Sequence, residues 1–224
     1  MSTKPILVLA FDIERSGGFS HHDTIALGAS VVNDKMEELD RYFFNCYLKN
    51  ETVFEKRCWD EFWSNHQDIL KTLEYTGPKT KSELEHEMIS GFQEFRKKWE
   101  KYAEDNDMIL ALVSDNNVYD GGFVNELICK YLSDTYMPIP YSAYRKEYNP
   151  FYETHSQQVG LLYATDPSHK SYWGVTKRIR ELYSNIPECK KFHDHNPAND
   201  AYTIAFDQQV LFGIRNGIYV LKTN

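Results

Sequence analysis

Residues 6–14 read Ile-Leu-Val-Leu-Ala-Phe-Asp-Ile-Glu. The run Ile6–Phe11 is continuous, apolar and rich in branched side chains, and it is too short for an ordinary helix. A strand buried on both faces has this composition. The run ends on Asp12 and Glu14. Side chains two apart in an extended chain point to the same face, so both carboxylates project together, about 7 Å apart by strand rise. One hard cation can be gripped by such a pair, and Asp12 can bridge to a second. Taken alone, an acidic pair at a strand end is more often solvated turn chemistry. Arg15-Ser16-Gly17-Gly18, which follows, reads as a loop.

Outward from this strand the pattern predicts a β-meander. Thr24–Val32 (TIALGASVV) and Tyr42–Leu48 (YFFNCYL) are strand candidates, with a turn at Asn33-Asp34-Lys35. Residues 59–73 then read as a helix, although Trp59, Phe62, Trp63 and Ile69 recur at mixed spacings. Residues 82–102 form a stronger amphipathic pattern through Leu84, Met88, Phe92, Phe95 and Trp99, with Ser82 and Glu85 offered as a capping box. Met108–Val113 (MILALV) is a further buried strand. Helices are expected over 119–132, 175–183 and 198–216, while the Tyr- and Pro-rich segment 136–170 resists assignment. The expectation is one domain over residues 1–224, of α/β class, with a mixed central sheet flanked by helices. Such folds place their ligands at strand ends.

The bulk chemistry narrows the function classes. Hydrophobic residues make up 42% and charged residues 26% of the 224, the profile of a globular chain. A net charge of −8 argues against affinity for duplex nucleic acid through phosphate contacts alone. A nuclease tolerates this balance if cations screen its carboxylates. The aromatic share of 15% supplies rings for a core or for stacking on bases. Cys46, Cys58, Cys129 and Cys189 form no C-x-x-C pair, so reduced thiols rather than a zinc site are expected. No secretory leader and no apolar run of membrane-spanning length is legible, so an intracellular, cytoplasmic location and no membrane partner are expected.

Two further acidic elements join the first. Asp120 follows the strand MILALV in the run Ser114-Asp115-Asn116-Asn117-Val118-Tyr119-Asp120, in the opening turn of a helix, where an acid is favoured in any case. In His195-Asn196-Pro197-Ala198-Asn199-Asp200, Asp200 falls in the first turn of an apolar helix and His195 precedes it in a loop, where a histidine is usually a surface residue. Together these elements change the balance. Four carboxylates in one cluster repel strongly without cations. All-oxygen donors suit Mg²⁺ or Mn²⁺, and a two-ion site suits phosphodiester hydrolysis.

The order Asp-x-Glu, Asn-x-x-x-Asp, His-x-x-x-x-Asp resembles the three motifs of the DnaQ-like DEDDh exonuclease superfamily, from residue 7 to about residue 207. The resemblance implies an RNase-H-like fold and 3′→5′ trimming of single-stranded RNA or DNA at its 3′ end. It implies two ions, Mg²⁺ or Mn²⁺, held by Asp12, Glu14, Asp120 and Asp200, with His195 as general base. His193 is the rival base. Trp59-Asp60-Glu61-Phe62-Trp63 is similar to a helix of phage-like and RNase-AS-like members, where aromatic rings lie near the substrate, and the chain as a whole resembles exonucleases of large DNA viruses or phages. Ile13, Asn116, Trp59, Phe62 and Trp63 are the implied substrate contacts. The alternative for the aromatics is packing of the helix onto the sheet. Phe19, His21 and His22 are placed to flank the 3′ nucleotide. Lys177, Arg178 and Arg180, or Arg96, Lys97 and Lys98, could hold phosphates, although such runs are usually solvated helix faces. A homodimer is implied by resemblance alone. Two other readings stay open: a non-catalytic nucleic-acid-binding module of the same fold, and a different metal-dependent phosphoesterase.

Overall fold

The computed structural model describes residues 4–132, 151–166, 168, 174–189 and 194–222. Five strands form one mixed sheet: β1 (Ile6–Arg15), β2 (Thr24–Val32), β3 (Glu38–Asn45), β4 (Ile109–Ser114) and β5 (Phe151–Glu153), in the order β3-β2-β1-β4-β5. The meander β1-β2-β3 is antiparallel, and β4 and β5 add on in parallel. The helices are α1 (Lys56–Glu61), α2 (Gln67–Leu73), α3 (Lys81–Asp105), α4 (Gly122–Leu132), α5 (Thr154–Thr165), α6 (Val175–Leu182) and α7 (Pro197–Arg215). The chain is thus α/β, with helices on both faces of a mixed sheet. No helix among the described residues is long and apolar enough to cross a membrane.

The period of two along β1 divides the interior. Leu7, Leu9, Phe11 and Ile13 pack with residues of α3 and α4 on one face. Val8 and Ala10 pack with residues of α5, α6 and α7 on the other. Asp12 and Glu14 continue the second alternation, so the strand delivers them to the face that α7 covers. There α7 approaches the sheet at backbone distance. A Cβ on Gly28 of β2 would lie 2.1 Å from the amide nitrogen of Ala198 and 2.1 Å from the carbonyl carbon of Pro197, so only glycine fits. A third apolar cluster, with Ile25, Tyr47, Trp63, Leu70 and Leu73, seats α2 and the segment before it against the start of β2.

Several boundaries differ from expectation, each for a physical reason. The third strand begins at Glu38 rather than Tyr42, because its charged residues find partners: Arg41 with Glu38, and Asp40 with Lys98 and the Trp99 indole. The single helix expected over 59–73 is broken at Phe62 (φ −129°, ψ −73°) and at His66 (φ −125°, ψ 34°), with a 3₁₀ turn over Trp63–Asn65 between the breaks. The mixed apolar spacings do not share one helical stripe, and the breaks let Trp63 enter the core. The long third helix is capped by Thr80 and Glu83 rather than Ser82 and Glu85. The Thr80 hydroxyl accepts from the Glu83 amide, and the Glu83 carboxylate accepts from the Thr80 amide at 2.8 Å. Of the unassigned stretch 136–170, residues 151–165 form β5 and α5, and residues 136–150 lie outside the described residues. The cysteines are unpaired, as expected, with Cys129 at the surface.

Candidate metal centre

The carboxylates converge because β1 and β4 are adjacent and parallel. Ala10 pairs with Val113, so their C-terminal ends stop side by side. Asp12, 8% exposed, and half-buried Glu14 come from β1. Asp115 follows the last residue of β4. Asp120, 2% exposed, sits in a single π-turn over Asn117–Gly121. That turn is fixed from its start: the Asn116 side chain accepts from the Tyr119 amide, and the Asn116 amide donates to Asp120 Oδ2 at 3.2 Å. Asp200 is fully buried in the first turn of α7. Asn196 caps that helix, Pro197 opens it, and Asp200 Oδ1 accepts from the Asp194 amide at 2.9 Å.

The potential ligand atoms fall into two groups. One is Asp12, Asp115 and Asp120; the other is Glu14, His195 and Asp200; within each group one atom per residue lies within 4.8 Å of the others. Asp12 and Glu14 thus fall in different groups, although Glu14 is the foremost charge acting on Asp12. No Lys or Arg among the described residues pairs with Asp12, Glu14, Asp115 or Asp120. The cost of this arrangement shows in the titration of the groups. Burial first, then Glu14 and Asp120, drives the Asp12 carboxyl well above the usual range. Burial, then Asp115, does the same to Asp120. Burial, then Asp200 and Asp115, pushes Glu14 up to about 8. Buried acids without counter-charge are the signature of a site built for something positive. Asp12 Oδ2 is buried and has no hydrogen-bond partner, and five carboxylates with one imidazole form a donor set for hard divalent cations. The residues present fit such ions.

No protein-family model matches this chain, and no curated protein matches its sequence.

His195 adopts φ +60°, a left-handed conformation that histidine visits more readily than most residues. Its ring meets Phe62 edge to face at 4.6 Å and lies 4.7 Å from the His66 ring. The broken helix thus reaches the candidate metal site through the two residues at its breaks. In the sequence His66 is a lone histidine in a polar stretch and carries no signal. Nothing local distinguishes Asp115 beside Asp120. The parallel register of β1 and β4 is what reveals it, and that register is invisible without the strand pairing.

The other expected contacts divide. Trp63 has no exposed surface, and its indole N–H donates to the Arg15 carbonyl at 2.9 Å, so it cannot stack on a base. Ile13 is 3% exposed in the cluster on the opposite face from the acids, so its side chain makes no substrate contact. Trp59 is half-buried and packs on Phe54 at 5.0 Å. Asn116 serves the turn that carries Asp120. Phe19 is 62% exposed and stacks parallel to His21 at 5.8 Å. The loop bearing it is anchored beside Glu14 by Arg15, whose guanidinium donates to the Phe19 and His22 carbonyls and lies on the Phe123 ring. The basic runs are largely neutralised: Arg178 pairs with Asp166 and Glu181, Arg180 with Asp207, Arg96 with Glu100, and Lys98 with Asp40. His193 lies outside the described residues.

Proposed function

We propose that this chain is a metal-dependent 3′→5′ exonuclease of the DnaQ-like DEDDh type, with an RNase-H-like fold, acting on the 3′ end of single-stranded RNA or DNA. The observation that carries this reading is convergence. Asp12 and Glu14, Asp120, and His195 with Asp200 come from three separated stretches of sequence and meet at one sheet end in two donor groups. The sheet order, three antiparallel strands followed by two parallel ones, supports the fold assignment.

Asp12 and Asp120 would hold one ion, and Glu14 and Asp200 the other, Mg²⁺ or Mn²⁺ in each case. Bound there, the ions would supply Lewis acidity and neutralise charge on a phosphodiester. The His195 ring lies among the donors of the Glu14 group. Hard ions favour the oxygens, which leaves the imidazole nitrogen to accept a proton from water as general base. Its left-handed backbone and the Phe62 and His66 rings hold it at the edge of the acids. Phe19, exposed on the loop behind Glu14, offers a ring to the terminal base, where stacking contributes about 1–3 kcal/mol.

The test is digestion of matched 5′-labelled single-stranded DNA and RNA oligomers in Mg²⁺, in Mn²⁺ and in EDTA, beside Asp12→Ala. A metal-dependent ladder that shortens from the 3′ end, absent in the variant, is expected. Discrete internal fragments would indicate another phosphoesterase, and intact strands in both metals a non-catalytic module.

A further inference from the structure

The register of β1 and β4 has a consequence for how the centre fills. Ala10 lies opposite Val113. Two residues further on, Asp115 comes level with Asp12, one step past the end of the strand. Its carboxylate joins those of Asp12 and Asp120 within 4.8 Å. Asp12 is 8% exposed, and its Oδ2 is buried with no hydrogen-bond partner. Asp120 is held in place by the Asn116 amide. No lysine or arginine among the described residues compensates the three acids, as set out above. Mg²⁺ is ordinarily bound by one or two carboxylates and completed by substrate phosphate. This group supplies three.

We propose that Asp115 is a metal ligand of the Asp12–Asp120 group, and that with it the protein alone holds a divalent ion there before nucleic acid arrives. The proposal rests on the metal-centre reading given above and assigns a fifth carboxylate to it. Three carboxylates, which an arriving ion would hold in their ionised form, give it a seat that owes nothing to the substrate. The other group, with two carboxylates and an imidazole, remains the weaker of the two for a hard cation. The centre therefore fills in order, the Asp12 side first.

Mn²⁺ binding to the nucleic-acid-free protein, followed by calorimetry and by loss of the free-Mn²⁺ electron-spin-resonance signal, tests this without any activity measurement. The wild type is expected to bind one Mn²⁺ more tightly than any other. Asp115→Asn and Asp115→Ala should weaken that ion by about tenfold or more, while Asp200→Asn leaves it within about twofold. Circular dichroism and thermal melting confirm that each variant is folded. An Asp115 variant that binds the tight ion like the wild type overturns the role of Asp115 and leaves the metal-centre reading standing. Weakening of the tight ion by Asp200→Asn rather than by the Asp115 variants overturns the order of filling. A wild type that takes up no Mn²⁺ overturns both the inference and the metal centre. A wild type that binds Mn²⁺ but digests no strand removes the exonuclease reading and leaves Asp115 as a ligand.

Discussion

The rings of Phe62 and His195 meet edge to face, centroids 4.6 Å apart at 88°. The sequence resemblance offers Phe62 as a base-stacking residue, but its ring is directed at the proposed general base, and the His66 ring packs against both, 4.7 Å from each. A misplacement of 1 Å in a reacting group can cost about 10²-fold in rate. We expect Phe62→Ala and His66→Ala to lower kcat by roughly one to two orders of magnitude with little change in KM, and His66→Phe to restore kcat. A variant that raises KM alone would return these rings to the substrate, and failure of His66→Phe to rescue would mean that the His66 nitrogens, not its ring, matter. Steady-state kinetics on a 3′-terminal oligomer separates the outcomes.

Trp63 gives the converse case. Its indole is fully buried and donates to the Arg15 carbonyl. Trp63→Phe deletes this donor and leaves the carbonyl only the long contact from the Cys58 thiol at 3.9 Å, at a cost of about 1–3 kcal/mol. Trp63→Ala adds a cavity, for about 3–5 kcal/mol in all. Urea unfolding should show these losses, with KM for nucleic acid unchanged in the Phe variant. A KM rise without destabilisation would restore Trp63 to the substrate site.

These contrasts show what the sequence can carry. Asp12, Glu14, Asp120 and Asp200 were legible because each ends a strand or opens a helix, where spacing fixes direction. Thr24–Val32 was legible to the residue because it is buried throughout. The edge strand β3 was misplaced because its charges are satisfied by Lys98 and Trp99, which lie far away in sequence. Asp115 and His66 were missed for the same reason. What gives each meaning is a neighbour across the sheet or across a broken helix, and no local pattern encodes that pairing.

The metal-free protein should lose stability as pH rises. Burial, Asp200 and Asp115 raise Glu14 from its ordinary 4.5 to about 8 in the fold, so its stabilising contribution is fully present below pH 4.5 and drains away as pH rises through 8. Asp12 and Asp120 are shifted in the same direction. In EDTA, Tm is expected to fall between pH 5 and 8, and Asp12→Asn, which removes one of the repelling charges, should raise Tm at pH 8. Mg²⁺ should flatten the wild-type curve, because ion binding favours the ionised carboxylates and releases their protons. A metal-free Tm that rises over this interval would show that the acids are not buried together.

Gly28 couples the sheet to the candidate metal site. A Cβ there would lie 2.1 Å from backbone atoms of Pro197 and Ala198, and those atoms begin the helix that carries Asp200 and starts two residues after His195. Backbone cannot step aside as the end of a side chain can, so Gly28→Ala must push the start of α7 off the sheet. Overpacking of this kind costs about 1–3 kcal/mol, but the larger effect should be functional: displacement of Asp200 and His195 weakens Mn²⁺ binding and lowers kcat together. Gly160→Ala is the control. A Cβ at Gly160 in α5 meets nothing within 4 Å, so that variant should gain about 0.5–1 kcal/mol and leave Mn²⁺ affinity and kcat as they were. Loss of stability in Gly28→Ala with metal binding and turnover intact would mean that α7 yields without moving its first turn, and the seat of Asp200 would then have to be fixed by its bond from the Asp194 amide instead.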